Sequence, residues 1–235
     1  ATVPGRDVQN SADNPVLAMR TLAANPSAQR FFLYLLLVLI SIHAQDVLLE
    51  PYGAEVLGMS VSQTSRLTSI WGVGVLITLV GGLPLLKRIG KKPTANVGAF
   101  VAAFGFALII LSGVVGGASL LMLAVLVLGL GGGLMTVANL SYMFDMTIPE
   151  AAGLYIGAWG VANFAGQALG SITSGALRDV TLALTGQPFY GYALVFTLEI
   201  LGLMLAVYLF RTISVTKFRM DAELRLSDVL ALSGQ

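Results

Sequence analysis

The sequence predicts an all-α membrane protein with six transmembrane helices. Hydrophobic residues make up 56% of the chain and charged residues only 11%, a balance typical of proteins that have lipid as their solvent. A bilayer core about 30 Å thick needs about 20 apolar residues per helix, and six stretches satisfy this requirement. The six predicted spans cover residues 31–50, 63–86, 94–114, 119–143, 153–177 and 190–210. Their continuous apolar character argues against a transmembrane β-barrel, in which polar and apolar residues alternate.

The distribution of positive charge predicts that both termini lie in the cytoplasm, because positively charged loops remain there. Lysine and arginine residues cluster before the first span, after the second and after the sixth. All three clusters lie on one side of the membrane if the chain crosses it six times. Residues 1–29 are polar and are predicted to be a cytoplasmic segment rather than a signal peptide. The transmembrane bundle then covers residues 30–211, and residues 212–235 form a cytoplasmic tail.

The two halves of the bundle repeat the same order of motifs. Residues 46–53 end the first span and residues 145–153 end the fourth, each beginning with an aspartate. A Trp-Gly-Val sequence then follows in the next span of each half, at 71–73 and at 159–161, and a basic group comes after that span. Because each half has three helices, an odd number, the two copies must have opposite orientations. The sequence therefore predicts an inverted 3+3 repeat, equivalent to one half of a major facilitator superfamily transporter.

Two carboxylates lie in the first predicted span, where charge is costly and marks a functional site or a paired group. Counted from residue 31, Asp46 and Glu50 lie ~22 Å and ~28 Å along the helix, in the outer third of the bilayer. Arg66, one turn into the second span, is expected at a similar depth. We therefore predict an ion pair of Arg66 with Asp46 or Glu50, which either fixes helix packing or acts as a gate at the outer mouth.

The loop after the second span resembles the basic signature that the major facilitator superfamily carries between its second and third helices. The matching residues are Lys87, Arg88, Gly90, Lys91 and Lys92. Lysine occupies the acidic position of the signature, at residue 87, so a latch of the usual kind is in doubt. The same residues are also explained if their positive charges serve only to fix the orientation of the chain in the membrane. The corresponding cytoplasmic motif after the fourth span comprises Asp145, Pro149 and Glu150.

Longer segments resemble the bacteriochlorophyll delivery family of this superfamily, the PucC and LhaA type. The resemblance is carried by residues 45–60, 65–72, 145–160 and 211–219, and it extends over most of residues 28–220. It implies a non-enzymatic assembly factor or accessory subunit of photosynthetic light-harvesting or reaction-centre complexes, which binds or delivers (bacterio)chlorophyll. Members have twelve helices, so this chain resembles the C-terminal half. A missing N-terminal half, or a second copy, would have to complete any central cavity.

The resemblance further implies a location and partners. The location is the inner, intracytoplasmic or thylakoid membrane of a phototroph, and the partners are a photosynthetic membrane complex and the lipid bilayer, with no nucleic acid. The alternative function is half of a major facilitator secondary transporter for a small amphipathic solute. Pigment bound to the purified protein would favour assembly, whereas proton-coupled uptake by pigment-free protein would favour transport.

An enzyme is not expected from this chain. One histidine at membrane depth cannot supply a hydrolase triad, and the sequence shows no cluster of metal ligands. The glycine-rich stretch 129–133 lies inside an apolar span, where small residues let helices approach closely, and not in a phosphate-binding loop. Zero cysteines exclude disulfides and thiolate metal sites.

A small set of polar and aromatic residues within or next to the spans forms the candidate site for pigment or substrate. Neutral imidazole is a common metal ligand, so His43, the only histidine, could hold a chlorophyll magnesium or simply be a hydrogen-bonded residue. A single histidine predicts few pigment molecules. Glu199, deep in the sixth span, could serve proton coupling. The complete set is His43, Gln45, Trp71, Asn139, Trp159, Asn163, Gln167 and Glu199, of which 159, 163 and 167 form one stripe on the fifth span.

Overall fold

The computed structural model describes residues 26–147 and 152–216, and all regular elements in these ranges are helices. In chain order they are α1 (Pro26–His43), α2 (Gln45–Leu57), α3 (Val61–Ile89), α4 (Lys91–Val115), α5 (Ala118–Asp145), α6 (Ala152–Thr185) and α7 (Pro188–Arg211). The all-α prediction is confirmed for the described residues. Most of the predicted terminal segments, and the motif residues Pro149 and Glu150, lie outside the described ranges.

Five helical segments are long and apolar enough to cross a membrane. They are Gln29–Leu57, Val61–Ile89, Lys91–Val115, Ala118–Asp145 and Pro188–Arg211. The fifth predicted span lies in α6, which has 34 residues and therefore ample length. Asn163, Gln167 and several glycines make α6 less apolar than the other five, so it is not among these segments.

The first span is longer than the sequence suggested, because α1 and α2 form one nearly continuous rod. The Ala44 N–H still bonds to the carbonyl of Ile40 at 3.2 Å, which bridges the turn between the two helices. Pro51 lies inside α2 without ending it, and the helix ends at Leu57, seven residues beyond the predicted end, with Gly58 as its C-cap. The backbone of Gly58 has a φ of 64°, a left-handed conformation that a residue without a Cβ adopts at low cost.

The first helix of each half of the chain packs mainly on helices of the other half. α1 packs mainly on α6 and α7, whereas α5 packs mainly on α3 and α4, and contacts between α4 and α7 join the two groups. Close approach depends on glycine: a Cβ on Gly98 of α4 would lie 2.8 Å from the backbone nitrogen of Met135 in α5. A Cβ on Gly105 would likewise lie 2.8 Å from the nitrogen of Leu128. Of the glycine-rich stretch 129–133 for which the sequence predicts close packing, Gly131 lies at this contact, where its Cβ would be 2.7 Å from the carbonyl oxygen of Gly98.

Aromatic rings fill the core near the loop between α3 and α4, which we call the basic-loop end. Tyr34 of α1 stacks on Phe210 of α7 with ring centres 4.2 Å apart. Phe31 meets Trp159 of α6 edge to face at 4.9 Å. The Tyr34 hydroxyl donates a hydrogen bond of 2.7 Å to the Oδ1 atom of buried Asn139 in α5. This end of the bundle is thus held by α1, α5, α6 and α7 together.

Candidate functional site

His43, Gln45 and Asp46 form a hydrogen-bonded group at the turn between α1 and α2, which we call the His43 cluster. The Nδ1 atom of His43 lies 2.8 Å from Oδ2 of Asp46, as their spacing of three residues on one helical face predicts. The Nε2 atom of Gln45 donates a hydrogen bond of 2.6 Å to the other carboxylate oxygen, Oδ1. Both carboxylate oxygens of Asp46 are therefore engaged within the cluster.

The cluster lies near the middle of its span. In the segment Gln29–Leu57, residue 43 has fourteen residues on either side, so it lies ~21 Å from each end of the helix. Asp46 lies three residues and Glu50 seven residues beyond this midpoint, toward the C-terminal end of the segment. The side chains of His43 and Asp46 are 27% and 33% exposed, so part of the cluster opens to the surface of the bundle. Gln45 is 2% exposed and anchors the cluster from inside.

The predicted ion pair of Arg66 with Asp46 or Glu50 is not formed among the described residues. Asp46 binds His43, and Glu50 accepts a hydrogen bond of 3.0 Å from the hydroxyl of Thr68 in α3. Arg66 is exposed. Residues two positions apart on an α-helix are separated by about 200° of rotation about the helix axis. Because Thr68 faces α2, Arg66 must point away from it. The prediction paired these residues by their positions along the two helices, whereas contact also depends on rotation about the helix axis.

A second charged group joins α2, α6 and α7 at the end of the bundle opposite the basic loop, and we call it the Glu55 clasp. Arg178 of α6 donates to Oε2 of Glu55 in α2, and its guanidinium lies over the ring of Tyr192 in α7, 5.1 Å from the ring centre. The Tyr192 hydroxyl donates a bond of 3.0 Å to the same Glu55 oxygen. Arg178 also binds neighbouring Asp179 at 2.6 Å.

Sequence reasoning missed the Glu55 clasp. Glu55 lay beyond the predicted end of the first helix, and Arg178 was counted only as a positive charge in a loop. Reading Pro51 as a residue within the helix would have continued that helix to Glu55. The pairing with α6 and α7 still depends on tertiary structure.

The basic-loop motifs are brought together at the other end of the bundle. The Nζ atom of Lys91 lies 2.6 Å from Oδ2 of Asp145 and 3.0 Å from the carbonyl oxygen of Ser141, joining α4 to α5. Lys92 donates to the carbonyl of Ile213 after α7, and its Nζ lies 5.4 Å from the centre of the Phe210 ring. Lys87 and Arg88 are exposed, and Gly90 between α3 and α4 has a φ of 88°.

The other candidate residues do not gather at the His43 cluster. Asn139 and Trp159 are buried in the aromatic core, and Trp71 is half-buried with its carbonyl against Gly129 of α5. On α6, the side-chain amide of Asn163 donates to the carbonyl of Trp159 in its own helix. Gln167 is exposed, so the predicted polar stripe runs from the core to the surface.

Glu199 of α7 is separate from all these groups. It is 7% exposed, and its side chain is hydrogen-bonded to Ser41 of α1. Gly202, one turn further along α7, packs directly against the Ser41 hydroxyl, which leaves little free space beside it. The Glu199 side chain is thus buried between α7 and α1, with the Ser41 hydroxyl as its polar partner.

Comparisons with known proteins agree on one family. The family described as PUCC protein matches residues 3–218. An uncharacterised protein in the puhA-bchM intergenic region of Rhodobacter capsulatus is 31% identical over 189 residues, covering 76% of this chain and 39% of that protein. Protein PucC of Cereibacter sphaeroides is 35% identical over 160 residues, covering 66% of this chain and 35% of that protein. The bacteriochlorophyll synthase 44.5 kDa chain of Rhodobacter capsulatus is 27% identical over 168 residues. The chain spans no more than about two fifths of these relatives.

Proposed function

The chain belongs to the PucC family, which confirms the resemblance seen in its sequence, and from this premise we propose that it is a non-enzymatic assembly factor or accessory subunit of photosynthetic light-harvesting or reaction-centre complexes. The observation that carries this proposal is the family match over residues 3–218. The five apolar helical segments support a multi-pass protein in the same membrane as such complexes. The membrane is the inner, intracytoplasmic or thylakoid membrane of a phototroph, with both termini of the chain in the cytoplasm.

We propose further that the chain binds or delivers a few molecules of (bacterio)chlorophyll. One relative carries the name bacteriochlorophyll synthase 44.5 kDa chain, and this name supports the proposal. The His43 cluster supports binding, because it offers a partly exposed imidazole near the middle of a membrane span.

The helix packing supports the inverted 3+3 repeat as the architecture of the chain. If α1 with α2 is equivalent to α5, then α3 is equivalent to α6 and α4 to α7. Under this correspondence the packing of α1 on α6 and α7 becomes the packing of α5 on α3 and α4, which is the arrangement observed. The contact between α4 and α7 maps onto itself. α6 is then the fifth of six crossings, in addition to the five more apolar segments.

The polar groups at membrane depth support a further protein partner. Asp46 and Gln167 are exposed in the chain alone, although lipid would be a costly environment for both side chains. The relatives are more than twice as long as the matched segment, so a missing N-terminal half is one source of covering surface. A second copy of the chain, or a subunit of the photosynthetic complex, is another.

Gentle purification of the tagged chain from phototroph membranes tests the proposed function. We expect light-harvesting or reaction-centre subunits to co-purify with it, identified by mass spectrometry, and a (bacterio)chlorophyll absorption band to travel with the chain. A parallel purification from the same membranes, with the chain carrying a scrambled tag, controls for carry-over of abundant antenna proteins. Absence of both subunits and pigment above that control would overturn the proposal.

The alternative, half of a secondary transporter for a small amphipathic solute, is favoured by Glu199. A buried acid with a hydroxyl partner between two membrane helices is a feature of proton-coupled transport. Reconstitution into vesicles with an imposed proton gradient distinguishes the two functions. Uptake that disappears in the Glu199→Gln variant, by protein that carries no pigment, would support transport.

A further inference from the structure

We propose that His43 is the axial ligand of a chlorin magnesium through its Nε2 atom, and that Asp46 and Gln45 are the positioning residues that orient it. This inference rests on the proposed pigment binding and names the residues that perform it. It assigns a role to the hydrogen-bonded pair of His43 and Asp46 that helix packing alone does not require, because both side chains are partly exposed.

The donor chemistry of the cluster fits this ligand. A metal-binding histidine commonly donates its other ring N–H to a carboxylate, which fixes the tautomer and raises the basicity of the ligating nitrogen. In this chain the Nδ1 atom of His43 lies 2.8 Å from Oδ2 of Asp46, and because a carboxylate oxygen accepts, the tautomer that fits this contact carries its proton on Nδ1. The lone pair is then on Nε2, and no described residue is hydrogen-bonded to that atom.

The cluster is also rigid enough to hold a ring in one orientation. Asp46 cannot rotate freely, because Gln45 donates to its second oxygen at 2.6 Å. Gln45 in turn is 2% exposed and is fixed by the packing around α2. The buried amide of Gln45 therefore fixes the Asp46 carboxylate, and the carboxylate in turn orients the His43 imidazole.

The surroundings suit a large apolar macrocycle. Leu39, Ile40 and Val47 share the helical face of His43, at spacings of three and four residues. Val47 is 43% exposed, whereas Leu39 and Ile40 pack against Gly166 and Gly170 of α6 and are only partly exposed. The apolar surface beside the imidazole is therefore formed by Val47 and the exposed parts of these two residues. A macrocycle lying on this surface would bury apolar area while its metal met Nε2. The same disc placed at either end of the span would meet the charged Glu55 clasp or the basic loop instead.

A pair of pigments that differ only in the metal provides the test. The detergent-purified full chain, freed of pigment, is titrated with bacteriochlorophyll a and with bacteriopheophytin a, the same macrocycle without magnesium. Binding is followed by quenching of tryptophan fluorescence, and the visible absorption of the bound pigment reports coordination of its metal. We expect the chain to prefer the magnesium pigment, and we expect His43→Leu to bind both pigments with the lower affinity of the metal-free form.

A separate variant tests the positioning role of Asp46. Asp46→Asn removes the carboxylate that fixes the tautomer, and such changes next to a metal ligand weaken metal affinity about 10-fold to 100-fold. We expect this loss for the magnesium pigment alone, with binding of the metal-free pigment unchanged. Asp179→Asn makes the same chemical change in the Glu55 clasp and should alter neither affinity. Circular dichroism of each variant shows whether its helices are intact, and His43→Phe provides a ring of similar size without a metal-ligating atom if the leucine variant does not fold.

The outcomes separate this inference from the proposed function. Equal affinity of the wild-type chain for both pigments, or unchanged preference in His43→Leu, would overturn ligation by His43 and leave pigment binding intact. Binding of neither pigment by the wild-type chain would overturn pigment binding and ligation together. Equal loss of both pigments in Asp46→Asn would show that Asp46 serves folding rather than ligand orientation.

Discussion

Two adjacent glycines of α5 provide the sharpest test of the packing, because a methyl group should matter at one and not at the other. A Cβ on Gly131 would contact the backbone nitrogen of Ala102 and would lie 2.7 Å from the carbonyl oxygen of Gly98, both in α4. A Cβ on Gly132 would meet no other atom within 4 Å. Gly131→Ala and Gly132→Ala therefore make the same chemical change in the same helix, and only the first pushes α4 and α5 apart.

The expected magnitude follows from the atoms involved. The groups opposite Gly131 are backbone, so no side-chain rotation can relieve the contact and the helices must separate. Overpacking of this kind costs about 1–3 kcal/mol. Alanine in place of glycine within a helix contributes up to about 1 kcal/mol of stabilisation, which Gly132→Ala should gain without a compensating clash. Because both variants gain this helix stabilisation, it cancels in their comparison, and we expect them to differ by the overpacking cost of about 1–3 kcal/mol in the free energy of unfolding.

Thermal unfolding in detergent, followed by circular dichroism, measures this difference. With about 2–4 °C per kcal/mol for a chain of this size, Gly131→Ala should unfold roughly 2–12 °C below Gly132→Ala. The wild-type chain should lie between the two variants or close to Gly132→Ala. Equal midpoints for both variants, or a lower midpoint for Gly132→Ala, would refute the close contact between α4 and α5.

Two further predictions concern polar contacts between helices. Glu55→Gln and Arg178→Gln should each destabilise the chain, and a double-mutant cycle should give a coupling energy of about 1 kcal/mol, because the Glu55 side chain is 37% exposed and partly screened. Additive effects would show that the Glu55 clasp is not formed. Tyr34→Phe removes the hydroxyl that binds buried Asn139 and should cost about 1–3 kcal/mol in chemical unfolding. Tyr208→Phe, at a side chain 64% exposed, is the matched control and should leave the midpoint unchanged.

The sequence was sufficient to predict the helical class and the positions of most spans, because long apolar runs have few other solutions in a membrane. It was less informative about helix ends. Pro51 suggested a stop, yet the turn before α2 and the packing of Tyr52 let the helix continue to Leu57. Buried Tyr52 donates a hydrogen bond of 2.6 Å to the carbonyl of Ile109 in α4, which fixes that part of α2. Tertiary contacts of this kind are not visible in a local pattern.

The candidate site was predictable where the residues are close in sequence. His43 and Asp46 meet because their spacing places them on one helical face, and Gln45 joins them as a direct neighbour. Arg66 did not meet a carboxylate, because its rotation relative to Thr68 turns it away from α2. Lys91 and Asp145 were recognised as parts of separate motifs, and only the packing of α4 on α5 brings them together. Their contact needs the fold as well as the sequence.

Depletion of this protein in the phototroph that produces it tests the proposed assembly function most directly. The measurement is the absorption spectrum of the membranes over the hours after depletion, together with the total amount of extracted pigment. The account predicts that the bands of assembled light-harvesting or reaction-centre complexes fall, while pigment synthesis continues and unassembled pigment accumulates. Membranes that keep the full absorption of assembled complexes after the protein has disappeared would contradict it.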